Sequence, residues 1–201
     1  MPDVVISNEG PVRRIRMNRP DKKNALTLAM YEAMAAAIEE AGSADGVRCV
    51  LIAGAPEVFC AGNDLNAFVT MARSGGLGTP IIRFLHALAR CQKPMAAAVS
   101  GAAVGVGATM LLHCDQVIAA DNAVLMTPFV SLGLLPEAGS SLIAPRLMGH
   151  ARAFSLLVMG KPLSAEEAKS AGIVKSARHS IAFILPVVIA LIVYLSWLIF
   201  R

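Results

Sequence analysis

Aromatic side chains are scarce in this 201-residue chain: one Trp, two Tyr and seven Phe, 5% of the residues. Charged residues are few as well, at 16%, and the formal net charge is +4. With so few aromatics and no nucleic-acid motif, a nucleic-acid partner is not expected. Arg13, Arg14, Arg16, Arg19, Lys22 and Lys23 do gather positive charge near the N-terminus. Two readings of that cluster stay open: a phosphate contact, or a solvated edge strand followed by a loop. No CxxC pair exists among Cys49, Cys60, Cys91 and Cys114. Their apolar or small neighbours point to reduced core thiols of a cytoplasmic protein. His86, His113, His150 and His179 are scattered, so no metal site is expected, and His113 reads as a core histidine. Pro2 and Asp3 are followed by no apolar h-region, so no signal peptide is read.

What is present is apolar: 56% of the chain, much of it at the C-terminal end. About 200 residues suit one domain with a real core. Val12 to Met17 alternates, Ile15 and Met17 against Arg14 and Arg16, as a half-buried strand does. From Thr27 the period becomes helical, with Tyr31, Met34 and Ile38 on one face. Cys49 to Ala53 and Met95 to Val99 read as buried strands, and Pro80 to Arg90 as a helix. Gln116 to Ala120 and Ala123 to Met126 read as short strands, Leu142 to Met148 and Ala151 to Val158 as helices. Ser164 and Glu167 have the spacing of a capping box. Strands and helices alternate throughout, so the fold class is α/β.

One stretch organises the rest: Ser100 to Asp115, SGAAVGVGATMLLHCD. Its glycines follow a strand and precede an apolar run, the pattern of a sharp turn into a buried helix. The first N–H groups of such a helix lack intrahelical partners and point outward, ready for an anionic oxygen. Pro56 to Phe68, PEVFCAGNDLNAF, repeats this design, with a helix start near Asp64.

Five segments, MNRPDKKNAL (17–26), FCAGNDL (59–65), KPMAAAVSGAAVGVGATMLLHCD (93–115), LGLLPEAGSS (132–141) and PLSAEEAKSAGIV (162–174), appear in this order. Together they resemble the crotonase superfamily of enoyl-CoA hydratases and isomerases, over most of residues 4 to 174. The resemblance implies a superhelix of repeated β-β-α turns and a coenzyme A thioester as substrate, with no separate cofactor. It implies fatty-acid metabolism of the β-oxidation type and a homotrimer. It also implies an oxyanion hole for the thioester enolate, with the backbone N–H groups of Asn63 and Val106 as donors. The family more often has glycine at the position of Val106, whose side chain is expected to need room and to narrow the site. Ala61, Asp64 and Leu65 match positions that line the adenine pocket, and Lys22 and Lys23 are candidate phosphate contacts.

Carboxylates decide which reaction is implied. Family hydratases use two glutamates, and the matching positions here hold Thr109 and Phe129. Neither is a general base at neutral pH. Glu137, in LPEAGSS, remains, and this resembles the peroxisomal type of 3-enoyl-CoA to 2-enoyl-CoA isomerase, where one glutamate moves the proton. The competing reading makes Glu137 a helix cap acting through Ser140 and Ser141. Asp115 and Asp121 read as structural.

The family pattern stops at Ser176, so residues 1–176 are expected to form an incomplete crotonase-like domain, truncated at its C-terminal end. Residues 181–200 form an uncharged apolar run of bilayer-spanning length, with Lys175 and Arg178 before it and Tyr194 and Trp197 within it. Three readings stand: a single-pass membrane anchor holding a cytoplasmic domain, a buried or oligomerising helix, and a frameshifted or rearranged end. Two functions stand accordingly: an enoyl-CoA isomerase, or a non-catalytic acyl-CoA-binding fragment.

Overall fold

The computed structural model describes residues 1–64 and 78–178. Strand β1 (Val4–Glu9) turns at Gly10 and pairs antiparallel with β2 (Val12–Met17). Thr27 then caps helix α1 (Leu28–Ser43), its hydroxyl accepting the Met30 N–H at 3.2 Å. Next come β3 (Cys49–Ala53), β4 (Val58–Cys60), α2 (Thr79–Arg90), β5 (Met95–Val99) and β6 (Ala102–Val104). A single turn α3 (Val106–Thr109) runs on into a 3-10 segment (Met110–His113). Strands β7 (Gln116–Ala120) and β8 (Val124–Met126) are followed by α4 (Ser140–Met148) and α5 (His150–Leu157). Finally β9 (Leu163–Ser164), α6 (Ala165–Ser170) and β10 (Ser176–Arg178) complete the described chain.

Two sheets organise these elements. The larger has the order β1-β2-β3-β5-β7-β10, parallel from β2 onward, and the smaller β4-β6-β8-β9. In the pairs β3/β4, β5/β6 and β7/β8, the first strand enters the large sheet and the second the small one. This is the repeated crotonase-like unit. Strand β3 is buried on every residue, as a parallel strand covered on both faces must be. Ile15, Met17, Val50 and Ile52 pack under Tyr31, Met34 and Ile38 of α1 and Phe84 of α2. Tyr31 and Phe84 meet edge to face at 5.4 Å. A smaller cluster, with Val12, Leu51, Ala98 and Ile118, occupies the opposite face of the large sheet.

Several sequence expectations change. Strand β1 was not anticipated, because its polar residues give no clean alternation and its order comes from pairing with β2. The stretch from Ser100 holds an extra strand, β6, between the turn and the helix. At Gly101 φ is +64°, and a Cβ there would lie 1.9 Å from the Glu57 carbonyl oxygen. That contact lets β6 pair with β4. The helix that follows is buried as expected and is one turn long before it becomes 3-10. The large sheet also runs through Arg178, past the expected domain end at 176. The capping box is present: the Ser164 N–H donates to Glu167 at 2.8 Å and Ser164 Oγ accepts from the Glu167 N–H. The helix expected after Asp64 and the apolar run 181–200 lie outside the described residues. Among the described residues, no helix is long and apolar enough to cross a membrane.

Candidate active site

Two neighbouring parallel strands of the small sheet, β4 and β6, carry the predicted donors just beyond their C-terminal ends. After β4 the chain runs Ala61-Gly62-Asn63, and Asn63 bridges Leu26. The Leu26 N–H donates to Gly62 O at 2.8 Å and the Asp64 N–H to Leu26 O at 2.9 Å. In that pairing the N–H of Asn63 itself turns away from Leu26. Its side chain is fixed from behind by Tyr31, whose hydroxyl donates to Asn63 Oδ1. Tyr31 is fully buried, and burial, Cys60 and the Glu137 charge hold its pKa well above 10.

After β6, Gly105 (φ +56°) turns the chain and accepts the Ala108 and Thr109 N–H groups, both at 2.9 Å. Val106 is the first residue of α3, so its N–H has no intrahelical acceptor. One helical turn makes little macrodipole, so what this turn can offer an acceptor is the N–H group itself. The Val106 side chain is 3% exposed and packs with the main core, so it has found its room there. Glycines bring the two segments together. A Cβ on Gly62 would lie 3.0 Å from Val104 O, and one on Gly107 2.7 Å from Cys60 O.

Glu137 lies in the loop before α4. Its carboxylate accepts from Thr109 Oγ1 on α3, and burial raises its pKa against the lowering effect of that hydrogen bond. The helix-cap reading fails: α4 has Gly139 as its N-cap with no side-chain cap, and Ser140 Oγ is buried without a partner among the described residues. Glu137 meets Ser140 only through its backbone carbonyl, at 3.0 Å. Phe129, at the second hydratase position, is buried at 5% exposure.

Four of the five residues expected to contact coenzyme A, Lys22, Lys23, Ala61 and Asp64, lie within the described residues. Lys22 and Lys23 are exposed, and Lys23 O accepts the Ala61 N–H at 3.0 Å, so the two segments are joined. Asp64 is bound to Arg19 at 2.8 Å, and Arg19 also donates to Ala25 O. Asn24, fully buried with φ +54°, ties the same loop to Val58 and Phe59 carbonyls. Leu65 lies outside the described residues. Asp115 is structural as expected, accepting the Met95 N–H at 2.8 Å. All four cysteines are free, although only Cys49 and Cys60 are fully buried. Among the described residues, no three His, Cys, Asp or Glu side chains gather to hold a metal.

A family profile described as enoyl-CoA hydratase/isomerase matches residues 7–181. The chain belongs to this family. Rat enoyl-CoA delta isomerase 2 (Rattus norvegicus) is 39% identical over 176 residues, which are 85% of this chain and 45% of that protein. The 1,2-epoxyphenylacetyl-CoA isomerase of Escherichia coli is 36% identical over 87% of this chain and 69% of its own length. The structure of OdaA from Pseudomonas aeruginosa superposes with a TM-score of 0.87 at 46% identity, covering 92% of this chain and 74% of that one. The chain thus spans about half to two thirds of the curated relatives it matches. Within this enoyl-CoA hydratase/isomerase fold, sequence reasoning missed three contributors. The sequence places Tyr31 only on one face of a helix, His113 as a core histidine and Thr109 only where an acid is missing. Their side chains reach Asn63, Ala138 and Glu137, all distant in sequence.

Proposed function

We propose that this chain shifts the double bond of a 3-enoyl-CoA to the 2-position, with Glu137 as its one proton carrier. The observation that supports this most is a half-buried Glu137 aimed at the α3 segment, where the places of the two hydratase glutamates hold Thr109 and a buried Phe129. In this reading Glu137 removes the α proton and the thioester oxygen gains negative charge. The N–H groups of Asn63 and Val106 hydrogen-bond that oxygen. The protonated Glu137 then returns the proton to the γ carbon of the dienolate, so no net proton is gained or lost. One base suffices because both carbons lie on one face of a planar intermediate. Raising the Glu137 pKa toward the working pH suits a group that both takes and gives a proton. Ala61, Asp64 and Leu65 are assigned to the adenine side and Lys22 and Lys23 to the phosphates.

The experiment is to add a 3-enoyl-CoA to the full chain and follow the absorbance of conjugated 2-enoyl thioester. Glu137→Gln is expected to lower the rate by about a hundred- to ten-thousandfold. Activity retained in that variant would remove Glu137 from the role. Coenzyme A thioester binding with no turnover in the unaltered chain would favour the non-catalytic reading.

A further inference from the structure

The base and the oxyanion donor are tied to one short segment. Residues 106–113 begin with the Val106 N–H, and both remaining polar side chains of the segment reach the Glu137 loop. Thr109 Oγ1 donates to the Glu137 carboxylate, and His113 Nε2 lies 2.8 Å from Ala138 O. A carbonyl only accepts, so this ring nitrogen carries the proton. We propose that Thr109 and His113 are positioning residues that fix the Glu137 carboxylate at a set distance from the Val106 N–H.

Three observations support this beyond the two hydrogen bonds. A helical threonine usually returns its hydroxyl to the carbonyl one turn back. Thr109 is 1% exposed and sends its hydroxyl across to another segment instead. Ala138 has φ +54°, a left-handed conformation that disfavours any residue with a Cβ. It is held there where His113 grips its carbonyl, and the neighbouring Gly139 also has φ +64°. Finally, Glu137 is not used to cap α4, which leaves its carboxylate free to be placed from the α3 side. Among the described residues, Tyr31 on α1 is coupled to this carboxylate, and Cys60 on β4 is coupled to Tyr31. Tyr31 is held well above 10 and Cys60 is pushed up to about 12, so neither changes charge near neutral pH.

This inference rests on the isomerase reading for its kinetic part only. In the full chain, Thr109→Val keeps the shape and removes the donor. It is expected to lower kcat by about ten- to a hundredfold with little change in KM. The acid limb of the rate profile should move to higher pH, because a hydrogen bond that favours the carboxylate is lost. Thr109→Ser restores the donor and is expected to recover most of both effects. His113→Leu should lower kcat, and His113→Gln, which keeps an N–H donor and has no imidazole to titrate, should recover it. The Glu137 carboxyl is also titrated directly by 13C NMR of glutamate-labelled protein, assigned by the signal lost in Glu137→Gln. Its midpoint should rise in Thr109→Val whether or not the chain turns over. If Thr109→Val does not fold, Thr109→Ala makes the same comparison. An unchanged midpoint, kcat and acid limb in the donor-free variant would overturn the proposal. An active Glu137→Gln with a raised midpoint in Thr109→Val would instead overturn the isomerase reading and leave the positioning role standing.

Discussion

Ala138 sits at φ +54° in the loop that presents Glu137, a conformation glycine adopts without strain. Ala138→Gly is therefore expected to raise stability by about 0.5–1 kcal/mol, the relief of a left-handed Cβ less the entropy glycine loses. Urea denaturation of the two chains checks this, and a loss of stability would show that the loop is not strained. Glu137 itself carries a second expectation at this scale. Its folded-state pKa is raised, chiefly by burial. The native state therefore binds a proton more readily than the unfolded chain. Its contribution to stability is then fully present below about pH 4, the ordinary glutamate range. It is lost as pH rises through the raised value. Glu137→Gln is expected to melt higher than the unaltered chain near neutral pH and to lose that advantage in acid. Calorimetric melting across pH measures this, and an advantage independent of pH would rule it out. For the proton transfer proposed for Glu137, the same raised pKa would move the acid limb of the rate to higher pH.

Among the elements, the join of β4 and α3 leaves no room for a side chain at Gly107. A Cβ on Gly107 would meet Cys60 O at 2.7 Å and Cys60 Cβ at 2.8 Å. Gly107→Ala must push α3 away from β4, and backbone cannot yield as a flexible side chain can. A stability loss of about 1–3 kcal/mol is expected. The rate should fall more steeply than the stability, because the Val106 N–H moves relative to Asn63. Comparing denaturant midpoints with turnover separates the two effects. This junction also shows what periodicity misses. FCAG and VGVG are legible as two glycine turns, yet which turn packs on which was settled by the parallel pairing of Val58 with Ala102.

Across the molecule, the cysteines report how the two sheets close. Cys49 on β3 and Cys60 on β4 are fully buried, with thiol pKa values pushed up by burial to about 11 and about 12. Cys114 is likewise raised to about 12. The thiolate is the reactive form, so native alkylation near pH 8 is expected to be slow at all three positions. Cys49 and Cys60 lie in different sheets, and their labelling should follow opening of the whole domain at one common rate. Mass spectrometry of timed alkylation tests this, and rapid labelling of Cys60 alone would mean that the small sheet opens by itself.

By itself the sequence determined what depends on neighbours along the chain. Thr27 starts α1, and Ser164 with Glu167 starts α6, because a cap needs residues only three apart. Cys49–Ala53 and Met95–Val99 are strands because short apolar runs between turns bury on both faces. The family resemblance, carried by motifs in linear order, also named Asn63 and Val106 as the proposed donors and Glu137 as the proposed base. Tertiary structure alone decided their relations. It set β6 beside β4, put the Tyr31 hydroxyl behind Asn63, and turned the hydroxyl of Thr109, where an acid was missed, onto Glu137. It also drew His113 out of the core role to hold Ala138. These contacts join residues about 25 to 44 positions apart. No periodicity encodes such a pairing, because it exists only once the sheets are closed and the buried polar groups have found their partners.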